Sequence, residues 1–87
     1  MNTFKCNILT PEKTLFDADV QSVKAPGSSG HFEILAHHCN FISTLSNGIL
    51  KINTGKEETC FSIEKGVLEF SKNQVTILID GARRLIL

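Results

Sequence analysis

Apolar and polar residues alternate along most of the chain, and turn formers interrupt the alternation at short intervals. Phe4, Cys6 and Ile8 interleave with Lys5 and Asn7, the period-two pattern of a strand with one buried face. Thr10-Pro11-Glu12-Lys13 breaks it, because the proline ring presets φ for a tight turn. Leu15, Phe16, Val20 and Val23 then predict a second strand to about Lys24, with irregular spacing that suggests a bend or bulge. Ala25-Pro26-Gly27-Ser28-Ser29-Gly30 predicts a loop. Phe32, Ile34 and Leu35 predict a short strand, residues 36–41 another loop, and residues 42–46 a strand.

Three short segments read as hairpin turns. Asn47-Gly48 is the strongest local signal, since both residue types tolerate positive φ. Thr54-Gly55-Lys56-Glu57 separates residues 49–53 from 59–64, where Phe61 and Ile63 point inward and Ser62 outward. Lys72-Asn73 separates residues 67–71 from 74–79, after a change of direction at Lys65-Gly66. No window shows a 3.6-residue period. The pattern predicts an all-β chain, a flattened antiparallel β-sandwich of roughly eight to ten short strands in two sheets. Asp80 to Leu87 leaves the alternation and is too short for an independent helix.

Composition narrows the function classes. The 87 residues make one small domain, 1–87, without a linker or internal repeat. Nine Lys+Arg balance nine Asp+Glu, which argues against nucleic acid as a partner. No apolar run approaches membrane-spanning length, and the first residues lack the pattern of a secretory signal, so a cytosolic location is expected. Cys6, Cys39 and Cys60 form no C-x-x-C pair and read as reduced thiols, with Cys6 and Cys60 as small core residues.

The chemistry-bearing residues do not converge on a catalytic or metal site. His31, His37, His38 and Cys39 lie close in sequence, but consecutive ligands diverge, so a polar loop is expected rather than a metal centre. Cys39 or Cys60 beside His37 or His38 lacks the orienting group that nucleophilic catalysis needs. The glycine turn at 26–30 lacks the lysine and helix of a phosphate loop. Asp17 and Asp19 share a strand face as solvated edge charges. No cofactor is expected. A free-standing sandwich module that binds sugar or peptide is the alternative, and the absence of Trp and Tyr counts against a sugar site.

Several segments, in this order, resemble the epsilon subunit of F-type ATP synthases. Thr10-Pro11-Glu12-Lys13-Thr14-Leu15-Phe16 is similar to that family's T-P-E-x-x-L-F opening. Pro26 to Asn40 is similar to its P-G-x-x-G-x-F-G-I-L-P-G-H-A-P segment, and Leu45, Gly48, Leu50 and Ile52 to L-x-x-G-x-L-x-I. Gly66-Val67-Leu68-Glu69-Phe70, and Asn73 with Val75-Thr76-Ile77-Leu78, are similar to the two patterns that follow. Glu33, Ala36-His37 and Cys39-Asn40 depart from it, as does His31 where relatives often carry an acidic or polar residue.

The resemblance implies a β-sandwich in the central stalk, a non-catalytic rotor element that transmits ion-driven rotation to ATP synthesis. Its partners would be the gamma subunit and the c-ring directly and the catalytic hexamer indirectly, without lipid insertion. By position, gamma contact falls on Thr10, His38 and Ser43, and c-ring contact on Gly30, His31 and Phe32. The complex would sit peripherally on the cytoplasmic face of the cell membrane. Most members continue into a C-terminal helical hairpin, for which residues 1–87 hold no counterpart, so no C-terminal helical domain is expected here.

Overall fold

The computed structural model describes residues 2–85 and contains ten strands and no helix among them. They are β1 Phe4–Leu9, β2 Thr14–Val20, β3 Ser22–Gly27, β4 Gly30–Leu35 and β5 Phe41–Leu45. β6 Gly48–Asn53, β7 Glu58–Ile63, β8 Gly66–Ser71, β9 Gln74–Ile79 and β10 Ala82–Leu85 follow. Hydrogen bonding runs continuously through β10-β7-β6-β3-β5-β8-β9-β1-β2, with β4 on β3. The pairing between β3 and β5 is a single residue pair, Gly27 with Leu45. The sheet therefore curls there into two five-stranded halves, a β3 half (β10-β7-β6-β3-β4) and a β9 half (β5-β8-β9-β1-β2).

One core lies between the halves. Cys6, Ile8, Leu68, Phe70, Val75 and Ile77 come from the β9 half, and Val23, Ile34, Leu50, Ile52, Phe61 and Ile63 from the β3 half. Phe16 of β2 meets Phe61 of β7 edge to face at 6.4 Å, and Phe32 of β4 meets Phe41 of β5 at 5.1 Å. These pairs close the two open sides of the fold. All strand pairs are antiparallel except β1 with β9, which is parallel.

The all-β expectation holds, and four local expectations change. The second strand is two strands: β2 pairs with β1, and after Gln21 β3 pairs with β4 and β6. The apolar run gives no sign of this switch, because both strands feed the same core. The 25–30 loop shrinks to Ser28-Ser29, since β3 continues to Gly27. Asn47-Gly48 is not a hairpin turn: β5 and β6 do not pair, and neither residue has positive φ. The chain instead crosses there between halves. Finally, residues 82–85 form β10 as an edge strand on β7. Its two arginines hid it, yet charge on an edge strand deters further pairing.

The left-handed hairpin turn occurs at Lys72-Asn73, with φ of 53° and 56°. Asn73 suits it, and its side chain does more. Its Oδ1 accepts from the His37 amide at 2.7 Å and its Nδ2 donates to the Thr3 carbonyl at 3.1 Å. The Thr54–Glu57 turn forms as expected between the paired strands β6 and β7.

Two of the crossings between halves demand glycine. A Cβ on Gly66 would lie 2.5 Å from both the Leu78 carbonyl oxygen and Ile79 Cγ2, and one on Gly48 would lie 2.7 Å from Pro26 Cβ. Gly81, at the last crossing, has nothing within 4 Å. Gly66→Ala therefore costs about 1–3 kcal/mol through overpacking. Each kcal/mol lowers Tm by about 4–8 °C in a domain of this size. Gly81→Ala leaves Tm unchanged or slightly raised, and thermal unfolding of the two variants checks the contrast.

Cys6 is fully buried in the core and Cys39 is exposed. Cys60 is buried too, but on the outer face of the β3 half between its cross-strand neighbours Lys51 and Leu85 rather than in the core. Burial, reinforced by the Asp17 carboxylate, pushes the Cys6 thiol up from 9.0 to about 12. Above the unfolded value the unfolded chain releases this proton and the folded chain holds it. Stability therefore falls from pH 9.0 towards about 12, by up to about 1.4 kcal/mol per pH unit. Cys6→Ala removes that slope while lowering stability throughout, as denaturant titrations across this range will read. A thiol reagent at neutral pH labels Cys39 in the native protein and reaches Cys6 and Cys60 only on unfolding.

Candidate docking surfaces

Strand register builds a flat apolar row on the outside of the β9 half. Thr44 stands opposite Val67, Val67 opposite Leu78, and Leu78 beside Leu9. These positions alternate with the buried ones, so they all face outward. Leu78 is 51% exposed, Val67 41%, and Ile42, two residues from Thr44, 68%. A side chain of this kind left in water marks a surface made to be covered when several form one patch. The four residues of the row line a groove of about 560 Å³ together with Thr10, Pro11 and Asp80 among others.

Thr10 belongs to this end of the half. Its hydroxyl donates to the Lys13 carbonyl at 3.2 Å and accepts from the Lys13 amide at 3.2 Å, which locks the β1–β2 turn. Its side chain is thus occupied within its own turn. Ser43 sits mid-strand in β5, half-buried, with its hydroxyl donating to the Thr44 carbonyl at 2.9 Å. His38 precedes β5 and Thr10 follows β1, with β8 and β9 lying between those two strands in the same half. The three residues implied for gamma contact therefore trace a line along one half rather than a point.

His38 is held on three sides. Its ring stands edge to face with Phe41 at 5.6 Å and Phe70 at 5.8 Å, within the range of attractive aromatic geometry. Its Nδ1 is 2.8 Å from the Cys39 carbonyl oxygen. The Cys39 thiol lies 3.8 Å from that same nitrogen, and both are at the surface of the turn. His37 adopts φ 63° and donates its amide to Asn73, with its side chain exposed.

The other three residues lie on the β3–β4 hairpin. Gly30 is exposed at φ 135°, a conformation that favours glycine, and closes the Ser28-Ser29 turn. His31 faces outward, exposed, opposite Pro26. Phe32 faces inward against Phe41, half-buried. Rings thus run in contact from Phe32 through Phe41 to His38, joining the hairpin to the turn at 36–40. His31 and Phe32 also line a second groove, of about 710 Å³, with Lys24, Glu33, Ile49 and Lys51. Sequence reasoning missed this groove and the apolar row, because each is assembled from strands far apart in the chain. Among the described residues no group of three His, Cys, Asp or Glu side chains is placed to hold a metal ion.

Comparison with known proteins adds the lineage. A family model described as "ATP synthase, Delta/Epsilon chain, beta-sandwich domain" matches residues 3–85. The ATP synthase epsilon chain of Leptospira interrogans is 39% identical over 79 residues, covering 91% of this chain and 62% of that protein. That of Protochlamydia amoebophila is 44% identical over 79 residues, covering 90% and 54%. The chain thus spans about six-tenths of the length of such curated relatives. Its fold matches a chain of the Euglena gracilis mitochondrial ATP synthase with a TM-score of 0.89 at 17% identity, covering 97% of this chain and 54% of that one. A chain of the Tetrahymena thermophila mitochondrial ATP synthase central stalk and c-ring matches with a TM-score of 0.77 at 18% identity, covering 91% and 64%. With a sandwich that matches in both sequence and fold across almost every described residue, the chain belongs to the ATP synthase delta/epsilon chain β-sandwich family.

Proposed function

We propose that this chain is a rotor element of the central stalk of an F-type ATP synthase, tying the gamma subunit to the membrane c-ring. Family membership across residues 3–85 carries the reading. The geometry supports it, because torque must pass through a body that does not shear. Here one continuous core, without helices or long loops among the described residues, lies between two distinct outer surfaces. Interiors packed at this density transmit strain rather than absorb it.

Gamma docks on the outside of the β9 half. The apolar row Thr44, Val67, Leu78 and Leu9 supplies the dehydrated centre, as at other protein interfaces. Thr10 contributes the shape of a fixed turn at one end, Ser43 the adjoining strand, and His38 an imidazole already oriented by Phe41 and Phe70 at the other. The c-ring is met by the β3–β4 hairpin through Gly30, His31 and Phe32. The chain performs no catalysis itself and acts on the catalytic hexamer only through gamma. It sits peripherally at the cytoplasmic face of the membrane, held by protein contacts rather than lipid insertion.

Size-exclusion chromatography with the gamma subunit of the same organism tests this. The expected result is a stable complex that Leu78→Lys or Val67→Asp weakens about tenfold or more. Both side chains are substantially exposed, so Tm moves little. A wild-type chain that stays free of gamma at micromolar concentration overturns the reading. A complex indifferent to both substitutions moves the gamma surface elsewhere.

A further inference from the structure

The Asn73 side chain joins two segments far from it in the chain. Its Oδ1 accepts from the His37 amide at 2.7 Å, and its Nδ2 donates to the Thr3 carbonyl at 3.1 Å. Both segments lead onto the same buried ring. Phe4, next to Thr3, stands edge to face with Phe70 at 5.5 Å, and His38, next to His37, does so at 5.8 Å. Phe70 belongs to β8, which the Lys72-Asn73 turn joins to β9. One amide thus ties the N-terminal strand and the turn at 36–40 to the β8–β9 hairpin.

The tie acts on His38 through His37. The His38 amide donates to the Leu35 carbonyl at 3.2 Å, which closes a four-residue turn with His37 at its third position. His37 has φ 63°, a region that glycine occupies readily and a residue with a Cβ only at a cost. The bond from its amide to Asn73 holds the backbone there, so His38 leaves the turn from a fixed direction. Its Nδ1 then lies 2.8 Å from the Cys39 carbonyl oxygen. A carbonyl oxygen only accepts, so Nδ1 carries the proton, and Nε2 is the acceptor of the neutral ring.

We infer that Asn73 is a positioning residue of the docking surface. By holding the His37 amide it presents the His38 imidazole in one orientation and as the Nδ1–H tautomer, without touching the partner itself. The residue type fits this task. A carboxylate offers only acceptors and a lysine or arginine only donors, whereas the neutral amide serves the His37 N–H and the Thr3 carbonyl together. Asparagine also tolerates the φ of 56° that the turn imposes on it. The inference rests on the rotor reading, in which His38 belongs to the gamma-facing line.

Two substitutions separate positioning from folding. Asn73→Gly removes the amide yet keeps the turn, because glycine takes that φ without strain. Asn73→Asp retains an acceptor for the His37 amide. Long-range proton–nitrogen spectra of the imidazoles, at about pH 8 where histidine rings are ordinarily neutral, show wild-type His38 as Nδ1–H. Asn73→Gly moves the His38 signals towards those of the exposed His31 and His37, and Asn73→Asp leaves them in place. Binding to the gamma subunit of the same organism weakens about fivefold or more in Asn73→Gly and is restored in Asn73→Asp. In a His38→Ala background, Asn73→Gly changes gamma affinity by less than about twofold, which a general loss of stability does not produce. His38 signals that stay put in Asn73→Gly overturn the inference, as does an equal loss of gamma binding with and without His38. A shifted tautomer with wild-type gamma affinity overturns it while the rotor reading stands. A wild-type chain that does not bind gamma overturns both.

Discussion

One backbone joint decides the shape of this molecule. Gly27 pairs with Leu45, and the adjoining bonds run from the Ser28 amide to the Thr44 carbonyl at 3.0 Å and from the Ser46 amide to the Pro26 carbonyl at 2.8 Å. Through these few contacts a single sheet turns back on itself. Everything else follows from having to fill the space that the turn encloses. The chain crosses between halves after β2, β4, β5, β7 and β9, so neighbours in sequence repeatedly become neighbours across the core rather than within a sheet. At two of those crossings a glycine is needed, because Gly48 lies against Pro26 and Gly66 against the Leu78 carbonyl. At those two crossings the neighbouring atoms leave no room for a Cβ, whereas Gln21 makes the β2–β3 crossing and Gly81 has open space.

The same architecture explains which parts could be read from the sequence. β1 alternates clearly because it buries one face, and at the end of β7 Phe61, Ser62 and Ile63 separate by side although Cys60 is buried on the outer face. The Lys72-Asn73 turn was legible as well, since its strands pair locally. Asn47-Gly48 misled because a hairpin signal is local, whereas the pairing choice at that point is not. β3 offers its edge to β6 and, at one residue, to β5, so the two strands flanking Asn47-Gly48 are kept apart. The division at Gln21 was invisible for a related reason. Val20 and Val23 point into one core from different halves, and hydrophobicity does not record which half. The short β10 carries arginines that no hydrophobic pattern can find.

The site was legible to a different degree. Resemblance picked out six residues, and the fold groups them into a line along the β9 half and a hairpin on the β3 half. Rings in contact connect the two groups: Phe32 touches Phe41, and Phe41 touches His38. This continuity links the two groups through side-chain contacts. The hairpin cannot tilt without moving the turn at 36–40, because T-shaped ring pairs are packed against core residues on both sides, and Asn73 pins that turn to the β8–β9 hairpin through the His37 amide. These half-buried rings tie the hairpin to that turn through direct contact.

Charge shows why whole-chain properties can point the wrong way. Balanced totals of nine and nine suggest a protein to which electrostatics is indifferent. Pairing of β3 with β6 nevertheless puts Lys24 and Lys51 side by side, and β2 carries Asp17 and Asp19 to the other half. The period-two geometry does this automatically. Every outward position of a half contributes to one face, so a few residues of like sign spaced by two produce a polarised body from a neutral sequence. The outer face of the β3 half mixes Lys24, Lys51 and Arg83 with Glu33 and Glu58, whereas that of the β9 half carries Asp17, Asp19 and Glu69 with Lys5 beside an apolar row, so the two faces offer different surfaces. Net charge limits long-range attraction; the register of the strands sets what each face can recognise.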